Sequence, residues 1–318
     1  MKKIGWLLFF FVFAIIKANA QKKLVVAQDG SGAYKTVQEA INAVPDNSVS
    51  PTEIFVKKGI YKERIVIAKE KINIKLIGED ENATILTYDN YASKLDTAGK
   101  PLGTSRTASV YVYGAGFSAK NVTFENSSGP VGQALAIYVE GDKAAFFNCR
   151  FLGFQDTIYT HGYGSREYYS NCYIEGTVDF IFGASTAFFE QCTIFCKKNG
   201  HYITAASTPD TTKYGYVLSN CKIIGDAADH SFALGRPWRP YAKVVYLHCS
   251  LSNVISAEGW DNWRNAANEK TAYYAEYKNS GPGYTPGQRA AWAHQLSDDE
   301  AGLYARSLVL NGWDPKLP

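Results

Sequence analysis

The chain contains no HExxH pair, no paired CxxC, no low-complexity linker and, beyond residue 20, no second long hydrophobic run. These absences remove the zinc sites most readable from sequence, a membrane-spanning helix, which needs about 20 apolar residues, and any reason to divide the chain. Its five histidines, His161, His201, His230, His248 and His294, show no ligand spacing. Net charge is missing as well. The chain carries 33 basic and 30 acidic side chains, but Lys2, Lys3 and Lys17 fall in an N-terminal leader that holds no acid. Met1-Lys2-Lys3, an apolar stretch from Trp6 to Ile16 and Ala18-Asn19-Ala20 read as an n-region, a short h-region and a small-x-small cleavage site. Residues 1–20 are expected to be a signal peptide and residues 21–318 one exported domain, secreted or periplasmic. No cysteine stands at the cleavage site to carry a lipid. The mature domain is formally neutral, which removes long-range attraction to nucleic acid or an anionic membrane, so neither is expected as a partner.

What the chain does have is a repeat. Asn148-Cys149-Arg150-Phe151, Asn171-Cys172-Tyr173-Ile174, Gln191-Cys192-Thr193-Ile194, Asn220-Cys221-Lys222-Ile223 and His248-Cys249-Ser250-Leu251 share one frame, and Asn121-Val122-Thr123-Phe124 fits it with valine for cysteine. Each copy alternates as a half-buried strand does. The steps from Val122 are 27, 23, 20, 29 and 28 residues, which suits a solenoid with loops of variable length. No long helical period separates the copies between Leu76 and Leu251. The expected fold is all-β, a single-stranded right-handed parallel β-helix.

Such a stack needs covered ends. Thr36-Val37-Gln38-Glu39 is a capping box that opens a short N-terminal helix before Pro45. Ser297-Asp298-Asp299-Glu300 opens a C-terminal amphipathic helix expected to run through Leu310 and stop at Asn311-Gly312. The repeated cysteines would form an inward ladder at strand spacing, within the range a disulfide tolerates. Cys172 with Cys192, 20 residues apart, is the expected bridge; Cys149, Cys221 and Cys249 are expected to be free buried thiols.

Two acids sit on this frame. Asp156 and Asp179 each follow a repeat cysteine by seven residues and share the 23-residue offset between Cys149 and Cys172. If that offset is one coil, the carboxylates stack roughly 5 Å apart, too close for both to ionise freely. Both are embedded in apolar and aromatic neighbours, an expensive place for an unpaired charge. A single such aspartate would be read as a turn cap; two in register point to a pair in which one ionised member attacks or activates and one protonated member donates.

Five segments, in order, carry a resemblance: Gly59-Ile60-Tyr61-Lys62-Glu63, Gly132-Gln133-Ala134-Leu135-Ala136, Gln155-Asp156-Thr157-Ile158, Asp179-Phe180-Ile181-Phe182-Gly183 and Leu234-Gly235-Arg236-Pro237-Trp238. Together they are similar to the pectinesterase (pectin methylesterase) family over nearly all of the mature chain. The resemblance implies removal of methyl esters from homogalacturonan without metal or organic cofactor; a monomer is expected. It makes Asp179 the nucleophile, Asp156 the general acid and then base, Gln133 and Gln155 the donors to the tetrahedral anion, and Arg236 the partner that keeps Asp179 ionised. Trp238, Phe182 and Tyr159 are placed beside the scissile ester, Trp238 and Phe182 ahead of Tyr159. Gly59 to Glu63 reads as a structural signature. Ile158 stands where leucine is usual, a conservative departure. No inhibitor-like region precedes the domain, which favours a bacterial, directly exported enzyme. Asn82-Ala83-Thr84, Asn121-Val122-Thr123 and Asn126-Ser127-Ser128 match the glycosylation acceptor pattern.

Four rivals remain open on the residues alone. A polygalacturonase-like hydrolase fits the carboxylate spacing. A pectate lyase would require a calcium site, and no acidic cluster lies near the pair. A non-catalytic carbohydrate-binding solenoid, or an esterase of acetylated or acyl-CoA substrates, would use the same fold.

Overall fold

The computed structural model describes residues 23–318; the expected signal peptide over residues 1–20 lies outside the described residues. Each turn of the chain contributes one strand to each of three parallel sheets of eleven, eight and seven strands. One coil runs Ala144–Phe147 in the eleven-stranded sheet, Arg150–Leu152 in the eight-stranded sheet and Ile158–Thr160 in the seven-stranded sheet. The next runs Arg166–Ser170, Tyr173–Gly176 and Ile181–Gly183. The two coils pair in parallel, with Phe146 opposite Tyr169, Phe151 opposite Ile174 and Ile158 opposite Ile181. This is the expected parallel β-helix.

The residue before each repeat cysteine explains why the motif recurs. Asn121, Asn148, Asn171, Gln191, Asn220 and His248 all have φ between 49° and 55°, a left-handed conformation that asparagine tolerates better than most residues. One such residue turns the chain from the first sheet into the second and points the following side chain inward. The asparagine side chains also stack, Asn171 Nδ2 donating to Asn148 Oδ1 at 2.8 Å. Inside, like residues pile on like: Phe146, Tyr169 and Phe189 stack at 4.8 and 4.5 Å between ring centroids, all fully buried.

The helix Val37–Asn42 closes the N-terminal end with the expected capping box and buries Val37, Ala40 and Ile41. Glu63, at the end of the Gly59-Ile60-Tyr61-Lys62-Glu63 segment, accepts hydrogen bonds from the amides of Val37 and Gln38 at 2.9 and 3.0 Å, so that segment does carry a structural role. The C-terminal expectation needs correction. Instead of one helix through Leu310 there are two short ones, Asp298–Gly302 and Arg306–Val309, with Ala305 extended between them. Gly302 weakens the helix interior, and the Tyr214 hydroxyl donates to Leu303 O at 2.9 Å, binding a carbonyl that a continuing helix would use. The break seats Val309 and Leu310 against Tyr168, Phe188 and Val217 on the outer face of the eleven-stranded sheet. The segment therefore packs along the stack and not over its end.

The expected Cys172 to Cys192 disulfide is absent, and all six cysteines are free and buried. Parallel coils direct the stacked side chains the same way, inward and side by side, whereas a bridge needs Cβ vectors that converge. The two thiols of the expected pair donate to main-chain carbonyls, Cys172 to Ser170 O at 3.4 Å and Cys192 to Glu190 O at 3.5 Å. Burial pushes the Cys149 thiol up to about 12, so it has no thiolate character with which to attack a disulfide. Denaturing the unreduced protein and titrating it with a thiol reagent is expected to find six thiols; four would restore the bridge.

Candidate active site

The site forms where the second sheet hands the chain to the third. Gly153 and Gly176 open equivalent turns on neighbouring coils, and a Cβ on Gly176 would collide with the Phe180 side chain and sit 2.7 Å from Phe154 O. Three residues on, Asp156 and Asp179 adopt φ of 66° and 52°. Asp156 N donates to Val178 O at 3.0 Å and Asp179 N to Tyr202 O at 2.9 Å, so successive coils are held at strand spacing of ~4.8 Å. With Ile158 opposite Ile181 and Ile181 opposite Thr204, Asp156, Asp179 and Tyr202 form one column along the axis. One coil earlier, Gln133 bridges to Gln155. Arg236 follows Ala233–Gly235, two coils beyond Asp179.

All five expected polar residues converge on one cleft of about 420 Å³, lined also by Tyr159, Phe182, Trp238, Thr104, Ser105, Ala205 and Trp263. Arg236 grips Asp179 through two parallel hydrogen bonds, Nε to Oδ1 at 2.8 Å and Nη2 to Oδ2 at 2.7 Å, the fork geometry that makes guanidinium–carboxylate pairs strong. Its own plane lies between the rings of Tyr202 and Trp263, 3.8 Å from each centroid. Asp156 has no such partner.

The two acids differ accordingly. Burial raises the Asp179 carboxyl above the usual range, and the Arg236 hydrogen bonds and charge pull it back. Burial raises Asp156 well above that range, the neighbouring Asp179 charge raises it further, and the opposing effects of Arg236 and the Gln155 amide are smaller. In the singly protonated state of the pair, the proton therefore resides on Asp156 and the charge on Asp179.

Aromatic rings run past the cleft in register. Tyr111, Tyr138, Tyr159 and Phe182 occupy one row across four coils, with Tyr159 stacked on Phe182 at 4.3 Å and Trp238 edge-on to Phe182 at 5.7 Å. Phe182 is only 5% exposed, while Tyr159 and Trp238 are half-buried, so the ranking of Phe182 above Tyr159 is not reflected in accessibility. Sequence reasoning missed Thr104, Ser105, Tyr202 and Trp263. Trp263 had a faint signal in the closely spaced pair Trp260 and Trp263; its φ of 60° and the bond from its amide to Asp261 at 2.6 Å had none. Among the described residues, no group of three or more His, Cys, Asp or Glu is placed to hold a metal ion. A larger hollow, about 880 Å³ between the 211–214 loop and the C-terminal segment, is lined by no acid.

A polarised pair of acids beside amide donors in an aromatic-lined cleft, on the outside of a parallel β-helix, defines an enzyme of the carbohydrate-active β-helix class. The family model described as Pectinesterase matches residues 23–312. Pectinesterase 31 of Arabidopsis thaliana is 44% identical over 285 residues, which cover 88% of this chain and 89% of that protein. The chain spans 48% of the length of Pectinesterase 4 from the same plant, at 38% identity. Among solved structures, pectin methylesterase from carrot is similar with a TM-score of 0.84 at 35% identity, covering 93% of this chain and 95% of that one. A pectin methylesterase in complex with a hexasaccharide is similar with a TM-score of 0.81 at 32% identity, covering 93% and 98%. The chain belongs to the pectinesterase family, whose members are carboxylic ester hydrolases. None of the described helices is long and apolar enough to cross a membrane.

The burial of the pair has a stability consequence. A carboxyl whose folded pKa is raised contributes stability below its unfolded value, about 3.9, and loses it as pH rises toward the folded value. Asp156→Asn is therefore expected to melt at a higher temperature than the parent at about pH 8, with the difference vanishing below about pH 4. An equal or lower melting temperature at pH 8 would contradict this electrostatic account.

Proposed function

We propose that the protein hydrolyses the C6 methyl esters of homogalacturonan, converting pectin and water to pectate and methanol, with Asp179 as nucleophile. The observation that carries this reading is the asymmetry of the pair: only Asp179 is held in a guanidinium fork, and only Asp156 is pushed far into the protonated range. Asp179 attacks the ester carbonyl carbon, and the negative charge that develops on its oxygen is met by the side-chain amides of Gln133 and Gln155, which line the cleft beside both acids. Donors aimed at a developing oxyanion are worth about 3 kcal/mol each in other acyl-transfer enzymes. As the carbon–oxygen bond to methanol breaks, Asp156 delivers its proton to the leaving oxygen. The acyl-enzyme on Asp179 is then attacked by water, from which Asp156 removes a proton; Asp179 is released as its carboxylate, both acids are back in their starting states, and the uronic acid gives its remaining proton to solvent as it leaves as uronate. The rings of Tyr159, Phe182 and Trp238 supply flat apolar surface for the C–H faces of the sugars.

The five polar residues of this scheme converge on one cleft of a single chain, so the proposed reaction needs no second copy. The hexasaccharide complex of a similar pectin methylesterase supports a ligand of oligosaccharide length for the cleft. The family supports an exported enzyme; the leader read from sequence is the export signal in this proposal.

Methanol release from esterified pectin without loss of viscosity or new reducing ends is the expected activity; chain shortening would sink the esterase reading. Asp179→Asn is expected to lower methanol release by about 10⁴-fold or more with an unchanged circular dichroism spectrum, and Gln155→Ala by about 10²- to 10³-fold in kcat. The free-enzyme profile of kcat/KM should fall on the acid side as Asp179 protonates and on the alkaline side as Asp156 loses its proton, the latter above the ordinary carboxylate range. An alkaline limb that survives in Asp156→Asn would assign that ionisation elsewhere.

A further inference from the structure

Arg236 reaches Asp179 across an intervening coil. In the seven-stranded sheet the strand Ile181–Gly183 neighbours Tyr202–Ala206, which in turn neighbours Ala233–Gly235. The guanidinium therefore extends back over a full rung of the stack, and the residue in that rung, in register with Asp179 on one side and Ala233 on the other, is Tyr202. The Tyr202 ring lies 3.8 Å from the guanidinium carbon, and Trp263 covers the opposite face at the same distance. Tyr202 is not among the residues that line the cleft, so its action on substrate would pass through Arg236.

We infer that Tyr202 is a positioning residue for the esterase reaction: its ring is the floor that fixes the plane of Arg236 so that both hydrogen bonds to Asp179 are kept while substrate enters and leaves. The proposal rests on the assignment of Asp179 as nucleophile. An arginine side chain has several rotatable bonds, and a bidentate bond to a carboxylate fixes only its tip; stacking between two rings removes the remaining freedom out of the plane. A desolvated cation over an aromatic face is attracted by the ring quadrupole, so the sandwich also favours keeping the charge of Arg236 beside Asp179. The two walls have different duties. Trp263 belongs to a loop and lines the cleft. Tyr202 belongs to a strand whose backbone is hydrogen-bonded to Asp179 itself, Asp179 N to Tyr202 O at 2.9 Å, so nucleophile and floor are parts of one rigid ladder.

The charged groups facing Asp179 are Arg236, Asp156 on the preceding coil and Asp261 on the loop that carries Trp263. Of these only Arg236 lowers the Asp179 carboxyl. If the floor is removed, the fork loosens, the Asp179 pKa rises, and less nucleophile is ionised at a given pH. A purely structural role for Tyr202 would reduce the amount of active enzyme without moving any ionisation.

The test compares Tyr202→Phe, which keeps the ring, with Tyr202→Leu, which removes it, and with Tyr202→Met as a second ring-free variant. Two readouts are taken: kcat and KM for methanol release across pH, and the titration of the Asp179 carboxyl carbon by NMR in the resting enzyme. Tyr202→Leu is expected to lose about tenfold in kcat/KM, mostly in kcat, with the acid limb and the NMR titration of Asp179 both displaced to higher pH. Tyr202→Phe is expected to stay within about twofold of the parent with neither displaced. The proposal is overturned if Tyr202→Leu titrates and turns over as the parent does, if Tyr202→Phe is as impaired as Tyr202→Leu, or if neither ring-free variant folds, which would assign the ring to packing. A parent protein that releases no methanol would remove the esterase reading, while the NMR comparison would still report whether Tyr202 governs Asp179.

Discussion

The hydrogen bonds that run from each coil to the next set every distance on which the site depends. They hold successive backbones at strand spacing, and because the offset from Asp156 to Asp179 equals the length of the coil between them, two carboxyl groups are brought together that neither solvent nor sequence proximity would pair. The same ladder places Gln133 against Gln155 and Tyr202 beyond Asp179. No side chain of the site needs to be positioned by a long loop except Trp263 and the Thr104–Ser105 edge. A one-residue change in the length of the coil that carries Asp179 would shift its register and separate the pair, although every local turn could still form.

Bringing two acids together in a half-dry cleft is unfavourable, and the structure answers it unequally. Arg236 stabilises one charge and leaves the other acid to hold a proton. That inequality turns a repeat, in which neighbouring coils carry the same residue at the same place, into two distinct chemical groups. The aromatic row beside it remains nearly symmetric, with Tyr138, Tyr159 and Phe182 in matching positions.

The fold was legible because the repeat cysteines and the residues before them recur at coil length, and the catalytic candidates because five motifs occur in order. The reason for the motif was hidden: asparagine before cysteine reads as a polar edge, whereas its function is a left-handed corner that asparagine and a few other residues tolerate. The same ladder misled on the disulfide, since spacing along the axis is compatible with a bridge but the common inward direction of the side chains is not. The C-terminal helix was read from its capping box, which is present, but the bond from Tyr214 that interrupts it comes from a residue 89 positions away. Tyr202 and Trp263 were invisible for a related cause. Their importance lies in which face of Arg236 they cover, and nothing local in the sequence records that.

The site draws Gln133, Asp156, Asp179, Tyr202 and Arg236 from five consecutive rungs. In a solenoid, each repeat contacts only its neighbours, and unfolding can begin at an end and advance. A molecule frayed at either terminus would retain the site, whereas one that has lost a single central rung would lose it whole. Turnover thus works as a coincidence detector for the middle of the stack, and the gap between the temperature at which it disappears and the temperature at which the terminal coils melt measures how cooperatively the rungs hold together.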